Sequence, residues 1–236
     1  MSSQRNYRGQ LYQAYASRHA GRDSNEAVSR NVVQDLLPHL TDASSHEVLD
    51  LGCGQGSTVL ELQERGLSCV GIDISPEQIE IAKGKGADVF LIDFRNYLPA
   101  HMGNFSAIIA IDFFEHLAKE EVVEALEMIV GALRPGGVLI CRVPNAASPL
   151  VGRISHGDFT HETCFTEASI RQVCIAAGFL TVRVLEMKPK VHGIASACRS
   201  ILWRIYSNFL KLVYAVETGV LRGHIVSMNL TCVAKR

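Results

Sequence analysis

The sequence predicts an α/β fold: a doubly wound sheet of seven strands, mostly parallel with one antiparallel strand, in a single domain over residues 1–236. Three observations carry that prediction. From residue 47 onward, short β-branched runs alternate with helix-length segments, the rhythm of βαβ units. Those runs are nearly continuous in Val, Ile and Leu, as strands covered on both faces require. After residue 180 two further runs alternate polar with apolar, which suits an antiparallel pair at a sheet edge. A chain of 236 residues fits one domain with additions. At that size it buries roughly 70% of its unfolded surface and needs no metal or disulfide staple.

The elements follow in order. Residues 1–40 are mixed in character and read as a helical cap, with helices over 4–18 and 25–40. The parallel strands are expected at 47–52, 68–73, 87–93, 105–112 and 138–144, within a core running to 187. The helix after the second strand has a marked start: Ser75 as N-cap, Pro76 at the first helical position, and Gln78 completing a capping box. Another helix spans 119–133 and is stopped by Arg134-Pro135-Gly136-Gly137. Residues 166–178 read as helix, and 181–187 and 228–235 as the last two strands. Between them, 188–227 form a helical insertion before the final strand, 228–236.

Composition excludes several classes. Lys and Arg total 23 against 24 acids, a net charge of −1, so no bulk field attracts a phosphate backbone. No nucleic-acid partner is expected. The seven cysteines include no Cys-x-x-Cys pair and no zinc-like cluster with histidine. Cys69 and Cys141 sit in apolar runs, where a thiol behaves as a small hydrophobe. The first ten residues are polar, unlike a secretory signal, and no apolar run reaches the ~20 residues of a spanning helix. The expectation is a soluble, cytoplasmic protein.

The sharpest signal is Val48-Leu-Asp-Leu-Gly-Cys-Gly-Gln-Gly56. A buried strand ends near Asp50, and a turn carries Gly52, Cys53, Gly54, Gln55 and Gly56 before a helix begins at Ser57. Glycine belongs where the chain takes unusual φ or a ligand touches the backbone. A dinucleotide fingerprint, Gly-x-Gly-x-x-Gly, would need glycine at position 57, where Ser57 stands. That counts against NAD. An acid ahead of Gly-x-Gly-x-Gly instead offers a carboxylate to an ammonium and lets a nucleoside lie against the backbone. Asp73 alone has a plain alternative, since acids also cap the helix that follows.

With these residues the chain resembles the class I S-adenosylmethionine-dependent methyltransferases, over residues 47 to about 178. The resemblance implies a Rossmann-like fold and S-adenosylmethionine as cofactor. In that family the glycine loop holds the amino-acid portion, and an acid ending the second strand takes both ribose hydroxyls. Asp73, beside Ile74, stands in that place. Asp93 matches the acid near the adenine amino group, with Phe94 flanking the ring. Asp112 and Phe113 follow the fourth strand, near the sulfonium and methionine tail, and Ala132-Leu-Arg-Pro-Gly-Gly137 matches the family's connection into the fifth strand.

Methyl transfer from a sulfonium asks mainly for proximity and a water-poor pocket. A base is needed only where the acceptor must lose a proton. No Asn-Pro-Pro-Tyr-like stretch follows the fourth strand and no Pro-Cys nucleophile is present, so nucleic-acid amino and cytosine methylation are disfavoured. The loop at 154–166 brings His156, Asp158 and His161 close together, between Phe159 and Phe165. His161 is read as general base on a hydroxyl, oriented by Asp158 or Glu162; the plain alternative is a loop histidine bonded to backbone carbonyls. His116, next to Glu115, is placed toward the sulfonium end, with Glu115 otherwise a first-turn acid favourable to a helix dipole. A metal held by His156, Asp158 and His161 is considered and set aside, since Mg²⁺ prefers carboxylate and water oxygens. Tyr7, Tyr12 and Tyr15 are expected to pack in the core, with a lid over the cofactor as the alternative.

Gly157-Asp-Phe-Thr-His-Glu162, with Phe165-Thr166 and Gly178-Phe179 following, is similar to small-molecule methyltransferases of surface-polysaccharide and lipid-linked sugar pathways. That resemblance implies O-methylation of a hydroxyl on a sugar or lipid-linked glycan. N-methylation, quinone-type methylation and a non-catalytic S-adenosylmethionine-binding protein remain the alternatives. In the insertion, Ile201, Leu202, Ile205, Phe209, Leu212, Val213 and Val216 share one side of a helical wheel, widened by Trp203, Tyr206, Leu210 and Tyr214. Ser200, Arg204, Ser207, Asn208 and Lys211 take the other. So broad an arc points first to core burial or a homodimer, and otherwise to a lid or a peripheral membrane contact through 199–216, where Arg199, Arg204 and Lys211 suit anionic head groups.

Overall fold

A computed structural model describes residues 7–13, 15–18, 33–34, 37–40, 47–220 and 223–236. Two short helices, α1 (Tyr7–Tyr12) and α2 (Tyr15–Arg18), stand where one helix over 4–18 is expected. Of the second expected helix, residues 25–32 and 35–36 lie outside the described residues, and Leu37–His39 form a 3₁₀ turn.

The sheet then builds as β1 (Val48–Leu51), α3 (Ser57–Glu64), β2 (Cys69–Asp73), α4 (Pro76–Gly84), β3 (Val89–Leu91), α5 (Phe94–Tyr97) and β4 (Phe105–Ile111). It continues through α6 (Lys119–Ala132), β5 (Leu133–Pro144), α7 (Gly152–Ser155), α8 (Glu167–Ala176), β6 (Thr181–Glu186), α9 (Ile194–Thr218) and β7 (Asn229–Lys235). The seven strands lie in the order β3-β2-β1-β4-β5-β7-β6. Only β7 runs antiparallel, pairing with both β5 and β6. The order reverses at β1 and β4, the switch point outside which open α/β sheets bind ligands.

Period-two alternation puts a core on each face. Leu49, Leu51, Ile72, Ile108 and Leu139 pack beneath α6 and α8 through Leu126, Ile129 and Ile170. Val48, Cys69, Ile109 and Ile140 turn to the opposite face, with Val59 and Leu62 of α3 and Ile79 and Ala82 of α4. Gly71 marks how tightly the second face closes. A Cβ there would stand 2.7 Å from Cys53 Cβ and 2.9 Å from Val59 Cγ2. Gly71→Ala is therefore expected to cost about 1–3 kcal/mol of overpacking. Differential scanning fluorimetry should show a melting temperature lower by roughly 2–4 °C for each kcal/mol lost.

The start of α4 keeps the expected cap, with Ser75 Oγ accepting the Gln78 amide and Pro76 opening the helix, but not the capping box: the Ser75 amide donates to Asp73 Oδ1 instead of to Gln78. Two boundaries differ. β3 stops at Leu91, not residue 93, because Asp93 leaves the strand to cap α5, accepting the Arg95 amide at 2.8 Å. Leu133 is not helical; it pairs with Phe105 on β4, and the ladder resumes at Val138 opposite Ala107 after Arg134–Gly137 bulge out.

The largest departure is the insertion. Ser207 and Ala215 are the buried residues of α9, while the arc from Ile201 to Val216 faces outward. Core burial of that arc within the chain is thereby overturned. Lys211 Nζ pairs with Glu186 at 3.3 Å and the Tyr214 hydroxyl donates to the Ala147 carbonyl at 2.6 Å, so the side carrying the polar residues is the one that docks.

Candidate active site

At the carboxyl ends of β1, β2 and β4 lies a cavity of about 920 Å³. The turn after β1 forms its floor. The Gly52 and Cys53 amides both donate to the Ile72 carbonyl, fastening the turn to β2. Gly52, Gly54 and Gly56 all have φ between +51° and +74°. At Gly52 a Cβ would meet Phe113 Cδ2 at 2.8 Å, and at Gly56 it would meet Ala87 Cβ at 2.7 Å. At Gly54 nothing lies within 4 Å, so its backbone opens on the cavity. Two glycines thus serve packing and one keeps the floor bare. Gly52, Gly54 and Gln55 line the cavity; Cys53 and Gly56 do not.

Asp73 stands beside the floor. Its Oδ2 accepts the Gly54 amide at 3.0 Å and its Oδ1 the Ser75 amide at 2.8 Å, so one carboxylate both aims into the cavity and fixes the glycine turn. Burial raises its pKa, opposed by those amide bonds. Asp50 is placed differently. It lies buried beneath the turn, off the cavity wall, and burial with the neighbouring Asp73 charge pushes its carboxyl up to about 7. Ile74, Asp93, Phe94, Asp112 and Phe113 all reach the wall. The Phe94 and Phe113 rings meet edge to face at 5.6 Å, with the Arg95 guanidinium 4.5 Å over Phe94.

Asp112 is the one described non-glycine residue with positive φ, +54°. Its carboxylate is gripped by Arg142 through two bonds, Nε to Oδ1 at 2.7 Å and Nη2 to Oδ2. Sequence reasoning missed Arg142, although a lone arginine inside the apolar run of β5 is itself a signal that an acid waits nearby.

The far wall gathers the catalytic candidates. Thr160 Oγ1 donates to Asp158 Oδ1 at 2.7 Å, and His116 Nδ1 meets the same Thr160 oxygen at 2.8 Å. The Tyr15 hydroxyl donates to Asp158 Oδ2 at 2.5 Å. Since the single Thr160 hydrogen points to a carboxylate that only accepts, Thr160 accepts from His116. The His116 proton therefore sits on Nδ1, and Nε2 carries the lone pair. Burial, then the adjacent His161 ring, lowers the His116 pKa to about 4, so the ring is neutral at pH 7. His161 lies edge to face with His116 at 4.7 Å and also lines the cavity. Asp158 thus reaches His116 through Thr160; Glu162 and His156 are off the wall.

Tyr12 and Tyr15 line the cavity instead of packing in the core, and the Tyr7 side chain lies outside the described residues. Glu115 is buried with both carboxyl oxygens unpartnered, on the wall; burial and the nearby Asp112 charge push its pKa well above the usual carboxylate range. Gln78 Oε1 and Asn229 Oδ1 are likewise buried, unpartnered and on the wall. The Gln78 and Asn229 amide oxygens only accept, whereas the neutral form of Glu115 that burial favours offers one O–H donor as well, so the wall suits a ligand that carries N–H or O–H donors and an acceptor.

A family model described as a methyltransferase domain matches residues 20–184. The chain belongs to that family. Methyltransferases are also among its curated relatives and its structural neighbours. It is 35% identical over 122 residues to the 2-heptyl-1-hydroxyquinolin-4(1H)-one methyltransferase of Mycobacteroides abscessus, covering 48% of this chain and 53% of that protein. It is 32% identical over 98 residues to the ubiquinone biosynthesis O-methyltransferase of Thiobacillus denitrificans, covering 39% and 41%. The chain spans about half or less of the length of these relatives. A SAM-dependent methyltransferase from Archaeoglobus fulgidus shares the fold, with a TM-score of 0.67, 20% identity, and coverage of 88% of this chain and 94% of that one.

Proposed function

We propose that this methyltransferase-family chain is an S-adenosylmethionine-dependent O-methyltransferase of a small molecule, with His116 as general base. The carrying observation is the Asp158–Thr160–His116 relay ending on a wall of the cavity that the glycine turn also lines. The cavity fits the cofactor. The open backbone at Gly54 admits a nucleoside, Asp73 offers oxygens to a ribose diol, and the orphaned oxygens of Gln78 and Asn229 call for donors. When bound, S-adenosylmethionine supplies a methyl group on a sulfonium that needs no further activation.

The chain's own residues do the rest. Thr160 and Asp158 hold the His116 tautomer, so Nε2 would accept the proton of an acceptor hydroxyl; bound S-adenosylmethionine would supply the methyl group, its S–CH3 bond breaking to leave the neutral thioether of S-adenosylhomocysteine. Tyr12 and Tyr15, with Phe113, keep that region poor in water. The acceptor class is a sugar or lipid-linked glycan, on the strength of the 157–179 segment. The names of the quinolone and ubiquinone relatives favour a ring hydroxyl as a second reading.

Release of S-adenosylhomocysteine in the presence of glycosyl-lipid, phenolic and amine acceptors, followed by mass spectrometry, tests the proposal. Turnover with amines alone, or cofactor binding without any turnover, would replace it. The pH dependence gives a further check. Because His116 titrates near 4 and acts as the neutral base, kcat/KM is expected to stay level across neutral pH and to fall only as pH approaches that value. An unperturbed histidine would instead break the profile near about 6.5.

A further inference from the structure

We propose that α9 is a docking helix for an anionic membrane surface, lying in the interface with its apolar arc toward the lipid. Four observations carry this, none of which depends on the methylation chemistry. The seven residues of the arc, from Ile201 to Val216, are 46% to 80% exposed. The opposite side of the helix is already engaged by the body of the chain, through Ser207, Lys211, Tyr214 and Ala215. The arc therefore has no partner within the described residues.

Charge selects among occupants. Helix α9 carries Arg199, Arg204 and Lys211 against one acid, Glu217 near its end, and Lys211 is engaged by Glu186, which leaves Arg199 and Arg204 beside the arc in a chain whose net charge is −1. At 100° per residue, Arg199 and Arg204 fall one on each flank of the arc, where long cationic side chains reach head groups while the apolar side chains enter the acyl boundary. A second copy of this chain would bring the same cations against themselves, whereas an anionic lipid surface neutralises them. Among the described residues no helix is long and apolar enough to cross a membrane, so α9 lies on the surface and does not span it.

Topology gives the docking a consequence. α9 leaves from the end of β6 and returns at the start of β7, where Asn229 pairs with Pro144. That is the end of the sheet at which the cavity opens, and Met228 and Asn229 line it. A helix seated on lipid therefore places the cavity beside the membrane, where a lipid-borne acceptor would be presented.

Cys198 provides the readout. It is exposed and seven residues before Ile205, hence on the same arc, whereas the other cysteines are buried or half-buried. A polarity-sensitive dye on Cys198 is titrated, without cofactor, with vesicles of phosphatidylcholine alone and of phosphatidylcholine mixed with phosphatidylglycerol. The expected result is a blue shift with the mixed vesicles at an affinity about tenfold or more above neutral ones. Ile205→Asp with Phe209→Asp should abolish it, with an unchanged melting curve as proof of folding. Equal binding to both vesicles, or none to either, would overturn the proposal. So would a blue shift without vesicles that grows with protein concentration alongside a doubled mass by light scattering, because the arc would then be a homodimer surface. Since no cofactor is present, either failure leaves the methyltransferase reading untouched.

Discussion

His116→Asn is expected to lower turnover by about two to four orders of magnitude, the usual contribution of a positioned general base. The dissociation constant for S-adenosylhomocysteine should stay within about threefold, because product binding needs no proton acceptor. Isothermal calorimetry and a single-turnover assay measure the two sides. Asparagine preserves a donor toward Thr160 Oγ1 but offers no basic nitrogen to the cavity. A positioning role for Thr160 gives a second signature. Thr160→Val removes the link between Asp158 and His116, frees the His116 tautomer and should reduce kcat more than KM, while Thr160→Ser, which retains the hydroxyl, should restore most of the rate. Full activity in His116→Asn would return the base role to His161, the ring 4.7 Å away.

Asp73→Ala carries the other large effect. Loss of its ligand bonds should weaken S-adenosylhomocysteine binding by about 1.5–3 kcal/mol, roughly ten- to a hundredfold in Kd. The change also releases the Gly54 and Ser75 amides, so the glycine floor loosens along with the contact. Asp73→Asn separates the two: one amide oxygen can still accept a backbone N–H, and the remaining loss reports the carboxylate itself. Calorimetry on the three proteins reads the difference. An unchanged Kd in Asp73→Ala would remove this residue from the nucleoside site.

The sheet was readable from sequence because its information is local. Continuous apolar runs, the Ser75-Pro76 helix start and the alternating last strands each announce themselves within a few residues. The glycine turn and the acids at strand ends were readable for the same reason, and, Asp50 apart, those acids converge on one cavity with the turn. What escaped depends on side chains meeting across long separations. Arg142 finds Asp112 from the neighbouring strand, and Tyr15 finds Asp158 from 143 residues away. Thr160 was in plain view between two singled-out residues, yet the direction of a hydroxyl cannot be seen in a string of letters. The wheel of α9 showed an apolar side and a polar side, but not which of them the sheet would claim. Average preference favours burying the apolar one, and here the docking bonds of Lys211 and Tyr214 decide otherwise.

One wall of the cavity is held on like a shutter. Helices α1 and α2 are secured by Ser75 Oγ on the Tyr12 carbonyl, by the Ser17 amide on Glu77 and by Tyr15 on Asp158. The bond to the Tyr12 carbonyl nets about 0.5–1.5 kcal/mol and those to the two carboxylates about 1.5–3 kcal/mol each, so this wall is fastened to the sheet side of the cavity at several points. Tyr15→Phe would remove one of these fastenings and leave that wall tied at Ser75 and Glu77.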